Sequence, residues 1–276
     1  MLFRYFGTHA FETIRDRRLL TSKLSSFNDP FEFIFTPKDD YTDEEIRIIA
    51  QKRLKSPEFW NAVSEVAPRI DPKFIESQMS NPEVLSEVNK GMLASDEKFL
   101  ESRFERADSI MRLICLSKAE EPENEILMWS HYGNAHKGWR LGFDFPVSGP
   151  KHELIDMKYE ANRVAFGYTG DDDDGVLAQA FTAANRTKSL AWKYEQECRL
   201  FSLKRVLSEE ELPTGERGCF FPFEADELKR VDLGMNSDLE VDQQIIDLVV
   251  SDFAGVEIYK ARKDKSRYAV AYDRIT

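Results

Sequence analysis

The chain has 276 residues, of which 42% are hydrophobic and 20 are phenylalanine, so it can fill a sizeable core and is not a disordered chain. Its net charge of −12 is uneven, because residues 208–257 hold 14 acidic against 3 basic side chains and the remainder carries only −1. Nucleic-acid binding needs clusters of Lys and Arg. That class of partner is disfavoured, although residues 1–207 leave room for a local basic groove.

The amino-terminal residues and the cysteines indicate a cytoplasmic protein. The first six residues lead into charged sequence and lack the apolar region of a signal peptide. No apolar run approaches the roughly 20 residues of a transmembrane helix, so we expect no membrane partner. Cys115, Cys198 and Cys219 each lie in an apolar, strand-like run. We therefore expect three reduced cysteines in the core.

The first predicted strand, residues 2–6, is followed by a short helix and then by a polar loop at residues 25–32. In this loop Pro30 forces Asp29 out of the helical region. Asn28 and Asp29 are side chains that lock turns by binding nearby backbone groups. Two interpretations stay open, a structural turn and a loop that shapes a ligand pocket.

Residues 41–108 have helical periodicity and contain little chemistry. Thr42 and Glu45 form a capping box, and Asn81 before a proline starts another helix. We predict an all-helical insertion or lid within a single α+β domain that spans residues 1–276. The strands on both sides of the insertion need each other to complete a sheet.

The middle of the chain predicts a buried strand at residues 111–117 and an alternating strand at residues 139–145, with a helix between them that ends at Gly138. His131 and His136 are five residues apart. The two histidines of a zinc-binding helix are four apart, which places both on one face. We therefore predict no metal site and expect structural, hydrogen-bonded histidines.

Residues 192–200, Trp-Lys-Tyr-Glu-Gln-Glu-Cys-Arg-Leu, combine two carboxylates with an arginine. If residues 194–202 form a strand, Glu195, Glu197 and Arg199 line one face of it. Carboxylates on one face repel, so neighbouring bases or a substrate must neutralise them. A structural salt-bridge ladder and a catalytic Glu-x-Glu strand both stay open.

Motifs that the chain lacks narrow the class of function. It has no phosphate-cradling glycine motif and no G-x-S-x-G elbow. Their absence lowers the expectation of a nucleotide kinase, a dinucleotide oxidoreductase or a serine hydrolase. The strands predicted on both sides of the helical residues 41–108 indicate an α+β fold, and we expect its central sheet to be mixed or antiparallel.

Three separated blocks resemble a widespread bacterial family of unknown function. They are residues 26–32, residues 128–132 with His136-Lys137-Gly138, and residues 192–195 with Glu197 and Arg199. The resemblance covers nearly the whole chain outside the predicted helical insertion. It implies membership of that family and little about activity.

The order of polar residues is also similar to that of the ADP-ribosyltransferase-like fold. In that fold an early strand carries an Arg or His that contacts NAD, a central segment carries Ser or Tyr, and a late strand carries the catalytic Glu, often as Glu-x-Glu. Arg4, then Ser117 or Tyr132, then residues 195–197 follow that order. The chain lacks a Ser-Thr-Ser triplet, and its helical insertion has no counterpart in that fold.

The second resemblance implies roles for particular side chains in cleaving NAD at the nicotinamide bond. Glu197 would stabilise the oxocarbenium-like state and Glu195 would orient or deprotonate the acceptor. Arg4 would pair with the pyrophosphate, and Tyr132 or Tyr5 would stack on nicotinamide. The further cofactor-binding candidates are Ser117, His131, Asn28 and Arg199.

Three classes of function stay open. The first is an NAD-consuming ADP-ribosyltransferase-like enzyme, with the expected role of a toxin or effector in anti-phage defence and with protein, nucleic acid or water as acceptor. The second is a non-enzymatic binding or sensor module that engages a partner protein through the helical insertion and the acidic segment 208–257. The third is a metal-dependent hydrolase or nuclease that uses Glu195, Glu197 and either His131 or His136.

A structural observation would separate the first two classes. Convergence of Arg4, Tyr132 and Glu197 on one pocket would favour the enzyme. Full pairing of Glu195 and Glu197 with buried arginines, without a cleft, would favour the binding module.

Overall fold

The computed structural model describes residues 1–33, 36–55, 71–78, 101–119, 121–166 and 182–276, together with residues 57, 81, 83, 84 and 87. The chain divides into two compact units. Unit 1 comprises Met1–Phe31, Ala107–Ala161 and Lys188–Thr276, and unit 2 comprises Glu32–Arg106 and Asn162–Thr187. The single-domain interpretation with an insertion at residues 41–108 stays a prediction.

The strands are numbered in chain order. They are β1 (Leu2–Phe6), β2 (Arg18–Leu20), β3 (Thr36–Pro37), β4 (Met111–Ser117), β5 (Trp139–Phe143), β6 (Ser148–Gly149), β7 (His152–Asp156), β8 (Lys158–Glu160), β9 (Ala165–Phe166), β10 (Thr187–Ser189), β11 (Glu197–Leu203), β12 (Ser208–Glu211), β13 (Arg217–Pro222), β14 (Leu228–Leu233), β15 (Glu257–Lys263) and β16 (Val270–Arg274).

The helices are α1 (Ala10–Asp16), α2 (Asp43–Leu54), α3 (Pro72–Gln78), α4 (Glu125–His131) and α5 (Leu239–Asp252), and residues 101–110 are also helical. Three 3₁₀ turns are η1 (Leu24–Ser26), η2 (Leu190–Glu195) and η3 (Lys204–Val206). The predicted α+β class is confirmed. Within the described ranges no helix has both the length and the apolar character to cross a membrane.

Unit 1 contains a nine-stranded mixed sheet in the order β16-β15-β14-β5-β1-β4-β11-β7-β6. The β14–β15 pair is parallel, and the β1–β5 and β4–β11 pairs are antiparallel. β1 aligns with β5 over its full length, whereas its ladder with β4 has a single register pair, Phe3 with Ser117. The hydrogen-bonded ladder is therefore nearly interrupted between β1 and β4, in the middle of the sheet.

One face of this sheet is covered by α1 and α5. Ile14 of α1 and Ile245 and Val249 of α5 are buried in the same apolar cluster as Leu141 and Leu200 of the sheet. Side chains alternate along each strand, so neighbours of these core residues face the opposite side. The apolar helix faces thus fix the sheet and leave its other face to polar side chains.

The opposite face is covered by α4. Met128 and Trp129 of α4 pack with Tyr5 of β1, and the two aromatic rings meet edge to face at 5.3 Å. Trp129 is fully buried. This packing anchors α4, and with it Tyr132 at the helix end, beside β1.

Helix α4 is shorter than the predicted helix, which was expected to run to Gly138. It ends at His131, and Asn134, Ala135 and His136 then adopt positive φ angles of 48°, 53° and 65°. Three consecutive left-handed residues cannot continue a right-handed helix. The expected helix end at Gly138 is therefore wrong.

Unit 2 contains α2 and α3, together with a parallel pair formed by β3 and β9. The predicted capping box is present, since Glu45 N donates to Thr42 Oγ1 at 3.2 Å and Thr42 N donates to Glu45 Oε2 at 2.9 Å. Asn81 Oδ1 accepts from Glu83 N at 3.0 Å, as a helix-capping side chain does, although Pro82 lies outside the described residues. The described elements between residues 41 and 108 are helical, as expected.

Candidate functional site

A pocket of about 200 Å³ in unit 1 lies where the ladder between β1 and β4 is nearly interrupted. Both strands contribute to it, together with the end of α4, the end of η2 and the start of β11. Seven of the sequence-predicted site residues line it: Arg4, Tyr5, Asn28, Ser117, Tyr132, Glu195 and Glu197. Two others, His131 and Arg199, are not among its lining residues.

All three sequence blocks reach this pocket. The first contributes Phe27 and Asn28, the second contributes Met128 and Tyr132, and the third contributes the two glutamates. Asp29 Oδ1 accepts from Phe31 N at 2.9 Å, which locks the first block as a turn. The turn interpretation is confirmed for Asp29, and its neighbours Phe27 and Asn28 line the pocket, whose binding of a ligand stays a prediction.

The two glutamates belong to different elements. Glu195 ends η2, Gln196 has a left-handed φ of 47°, and β11 begins at Glu197. The prediction of a strand from residue 194 is wrong at its start, because the left-handed residue breaks the alternation. Glu197 and Arg199 share a strand face as expected. Glu195 lines the same pocket from the end of the 3₁₀ turn η2, not from β11.

Lys188 is the site residue that the sequence analysis missed. Its Nζ lies 2.5 Å from Glu195 Oε2 and 3.1 Å from Glu197 Oε2, and its side chain is only 4% exposed. Lys188 belongs to β10, and the 3₁₀ turn η2 separates it from Glu195. No helical or strand periodicity in the sequence therefore relates Lys188 to the two glutamates. Only the need of two neighbouring carboxylates for a cation could have pointed to a base nearby.

Glu197 is held ionised by two cations. Arg199 Nε donates to Glu197 Oε1 at 2.6 Å and Arg199 Nη2 donates to Oε2 at 3.1 Å. Burial alone would raise the pKa of Glu197, but the charge and hydrogen bonds of Arg199, with the charge of Lys188, lower it to about 2. Arg199 also lies 4.9 Å from the centre of the Phe27 ring, so it links the first and third blocks.

The pKa of Glu195 is shifted in the opposite direction from that of Glu197. Burial raises its pKa, the charge of Lys188 offsets this only in part, and the nearby charge of Glu197 raises it further. Its Oε1 accepts a hydrogen bond from the Tyr132 hydroxyl. Burial and the charge of Glu195 raise the pKa of Tyr132, so that hydroxyl keeps its proton. Two adjacent carboxylates with divergent pKa values are typical of an acid–base pair.

Arg4 is a cation that the described residues leave without an anionic partner. Its side chain is half-buried, and its Nη1 is buried with no hydrogen-bond acceptor among those residues. Its guanidinium lies 5.4 Å from the centre of the Phe6 ring. Burial lowers the pKa of Arg4 to about 10, which leaves it charged at neutral pH. An unpaired buried charge is costly, so this position favours an anionic ligand group.

Tyr5 is held at the pocket by a buried polar network. Its hydroxyl accepts from Arg140 Nη1 at 3.1 Å, and Arg140 also pairs with Asp232 at 2.7 Å and with Glu125 at 2.9 Å. Arg140 is 1% exposed. Arg230 also pairs with Asp232, at 2.7 Å, so the network balances two cations against two anions. We therefore assign it to holding Tyr5 and β1 in place.

Ser117 and the histidines have local partners. Ser117 is buried, and its Oγ accepts from Ala119 N at 3.2 Å. His131 Nδ1 lies 3.1 Å from Tyr194 Oη, and His136 Nε2 lies 3.2 Å from Ser130 Oγ. Both histidines make the kind of hydrogen bond expected of structural residues. Across the described ranges, no group of three or more His, Cys, Asp or Glu side chains is arranged to hold a metal ion.

Cys115 corrects the expectation of three core cysteines. Cys198 and Cys219 are buried, but Cys115 is exposed and lines the pocket, and all three are free thiols. Burial among protein atoms and the charge of Glu197 raise the pKa of Cys115 well above its usual value. Cys115 is therefore an exposed thiol in the wall of the pocket, and its chemical modification can report whether the pocket is occupied.

A protein-family model described as "Protein of unknown function (DUF2971)" matches residues 128–200. Residues 128–200 are therefore similar to that family. The expected resemblance to a family of unknown function is confirmed over these residues, which contain the second and third blocks and every pocket residue from α4, η2 and the start of β11. The first block lies outside it.

Other comparisons add no relatives to the DUF2971 match. No curated protein and no solved structure matches the chain. The likeness to the ADP-ribosyltransferase-like fold therefore has no support from known proteins. What the matched residues do has to be argued from the pocket itself.

Proposed function

We propose that the pocket binds NAD and cleaves its bond to nicotinamide, as an ADP-ribosyltransferase-like enzyme does. The observation that carries the proposal is the convergence of Arg4, Tyr132 and Glu197 on one pocket. These residues lie more than a hundred positions apart from first to last, and their side chains supply a cation, an aromatic ring and an ionised carboxylate. Each matches a group that NAD cleavage requires.

The size of the pocket fits one end of the dinucleotide. An apolar cavity of about 150 Å³ holds a benzene ring, whereas whole drug-sized ligands occupy about 300–1,000 Å³. At about 200 Å³ the pocket has room for a single ring such as nicotinamide, with Phe3, Tyr5 and Tyr132 as aromatic walls. The diphosphate would lie against Arg4, whose Nη1 has no hydrogen-bond acceptor among the described residues.

The carboxylates supply complementary functions. When the bond between ribose C1′ and the nicotinamide nitrogen breaks, the electron pair leaves with nicotinamide and positive charge develops on the ribose. Glu197, ionised because its pKa is about 2, stabilises that charge. The acceptor then forms a bond to C1′, and Glu195 takes the proton that the acceptor loses.

The acceptor is a protein, a nucleic acid or water, and water would make the protein an NAD glycohydrolase. Consumption of NAD accounts for the proposed role as a toxin or effector in anti-phage defence. A cytoplasmic location gives access to NAD and agrees with three free cysteines. The proposal needs no metal.

The test is nicotinamide release from NAD by purified protein, wild type beside Glu197→Gln and Tyr132→Phe. We expect turnover by the wild type and a loss of about 100-fold or more in Glu197→Gln, because the charge that stabilises the transition state is removed. Tyr132→Phe removes only a hydroxyl and keeps the ring. Its turnover should fall because Glu195 loses the hydrogen bond that the Tyr132 hydroxyl donates and keeps the one from Lys188.

Glu211→Gln is the matched control, since Glu211 is exposed on β12 and does not line the pocket. It should retain wild-type turnover. Circular dichroism and thermal unfolding establish that each variant is folded. Equal turnover in the wild type and a folded Glu197→Gln would contradict the assignment of the site.

A second candidate function is a non-enzymatic binding or sensor module, in which a partner protein meets the helical insertion and the acidic segment 208–257. It is favoured by the pairing of Glu195 and Glu197, whose oxygens already accept hydrogen bonds from Lys188, Arg199 and Tyr132. Such a network also stabilises a fold without chemistry. Absence of turnover in the wild type, with NAD still bound in the pocket, would support this function.

A further inference from the structure

Lys188 lies between the two carboxylates of the pocket. Its ammonium group contacts an oxygen of Glu195 at 2.5 Å and an oxygen of Glu197 at 3.1 Å. The three side chains are nearly fully buried, at 4–6% exposed for the Lys188–Glu195 pair and 3% for Glu197. Lys188 also lies 4.9 Å from the centre of the Trp192 ring, which restricts its position further.

The two carboxylates depend on Lys188 unequally. Glu197 has a second cation in Arg199, which contacts both of its oxygens. Glu195 pairs with Lys188 on one oxygen and with the neutral hydroxyl of Tyr132 on the other. Loss of Lys188 would therefore leave Glu197 paired and would leave Glu195 without its cation.

The other groups that face Glu195 are tyrosines. Tyr132 faces it from α4, Tyr159 from β8 and Tyr194 from its own turn η2. Burial raises the pKa of Tyr159 to about 12 and also raises the pKa values of Tyr132 and Tyr194. These hydroxyls stay neutral at physiological pH, so Lys188 and Glu197 are the main charges that act on Glu195 among the described residues.

We propose that Lys188 is a positioning residue that bridges the two carboxylates and keeps Glu195 ionised at neutral pH. This role rests on the proposed NAD cleavage for its purpose, since a base must be unprotonated to accept the acceptor's proton. Glu197 stays charged through Arg199, and Lys188 makes the second carboxylate usable as a base.

The first experiment measures ionisation without NAD. Protein labelled with carbon-13 in the glutamate side-chain carboxyls is titrated by NMR, and Glu195→Gln and Glu197→Gln assign the two resonances. In Lys188→Met the midpoint of Glu195 should move to higher pH, because its cationic partner is lost. In Lys188→Arg the midpoint of Glu195 should stay near its wild-type value. The resonance of Glu197 should show no titration near neutral pH.

Lys193→Met is the matched control, because Lys193 is an exposed lysine on η2, the turn that carries Glu195, and its replacement should leave both midpoints unchanged. If Lys188→Met does not fold, Lys188→Gln makes the same comparison with a neutral donor in place. An unchanged Glu195 midpoint in a folded neutral variant would overturn the proposal.

The second experiment measures the pH profile of nicotinamide release. In Lys188→Met the acid limb of kcat/KM should shift to higher pH, with activity recovered on the alkaline side. Equal loss at every pH would mean a merely structural role and would overturn the functional part. If the wild type shows no turnover but the Glu195 midpoint is shifted in Lys188→Met, NAD cleavage is rejected and the role of Lys188 in keeping Glu195 ionised is retained.

Discussion

Arg4 and Arg199 are two arginines near the pocket that differ in their partners, so their substitution should affect ligand binding and stability differently. Its guanidinium has no hydrogen-bonded anionic partner among the described residues, whereas Arg199 makes two hydrogen bonds to Glu197. Its cation–π contact with the Phe6 ring, at 5.4 Å, is weaker than the hydrogen-bonded ion pair that Arg199 makes. An anionic ligand would supply the partner that Arg4 Nη1 lacks among the described residues.

Arg4→Met should therefore leave the free energy of unfolding unchanged or raise it, and should weaken NAD binding. The matched variant Arg199→Met should lose about 3–5 kcal/mol, because Glu197 is left buried with only Lys188 as a cation. Urea unfolding measures stability, and calorimetric titration with NAD measures binding. A large stability loss in Arg4→Met, with unchanged NAD affinity, would contradict the role assigned to Arg4.

Individual site residues could be predicted from sequence only where a pattern carried them. Arg4, Tyr132 and Glu197 followed the order of the ADP-ribosyltransferase-like fold, and all three line the pocket. Lys188 belonged to no pattern, because an irregular turn separates it from Glu195. Cys115 was placed in the core because β4 is apolar, and its exposure depends on the sparse ladder between β1 and β4.

At the scale of elements, the turn after α4 explains how Tyr132 is held beside β1. Asn134, Ala135 and His136 are left-handed, and His136 N donates to Trp129 O at 3.2 Å. Each left-handed non-glycine residue costs roughly 1–2 kcal/mol. The turn persists because the surrounding contacts, including Asn236 N to His136 O at 3.0 Å, compensate for that cost.

Gly138→Ala tests this turn. A Cβ on Gly138 would lie 1.9 Å from the backbone oxygen of Phe6 in β1, so the turn and the strand would have to separate. We expect a loss of about 3 kcal/mol, at the upper end for an overpacked site, and reduced turnover because Tyr132 is displaced. Gly7→Ala is the control, since its Cβ would meet Asn134 Cβ at 3.3 Å. Urea unfolding measures the loss of stability in each variant. Equal, small losses in Gly138→Ala and Gly7→Ala would contradict the close approach of Gly138 to Phe6.

Element boundaries were predicted well where one local rule decides them. The capping box of Thr42 and Glu45 is formed, and the strand at residues 111–117 has the expected bounds. The start of β11 and the end of α4 were wrong. Both depend on left-handed residues that are not glycine, and the sequence carries no signal for these because long-range contacts stabilise them.

At the scale of the whole molecule, the sheet of unit 1 brings distant parts of the chain to one pocket. β1, β4 and β11 are neighbours in the sheet, although they begin at residues 2, 111 and 197. The α+β class followed from the strands predicted on both sides of the helical residues 41–108. The position of the pocket did not, because it depends on where the ladder between β1 and β4 is interrupted, and this is a property of the assembled sheet.

The central claim is that this pocket is the NAD site, and the accessible thiol of Cys115 tests it most directly. Its modification by a small thiol reagent, methyl methanethiosulfonate, is followed by mass spectrometry at alkaline pH, because the raised pKa of Cys115 suppresses the thiolate near neutral pH. Glu197→Gln is used, so that NAD is bound but not consumed. Buried Cys198 and Cys219 report any unfolding.

We predict that saturating NAD slows the modification of Cys115, because nicotinamide fills a pocket with room for one ring. Nicotinamide alone should protect more weakly, because it lacks the diphosphate that Arg4 binds. An unchanged rate at saturating NAD, measured in a folded protein, would contradict the proposed site.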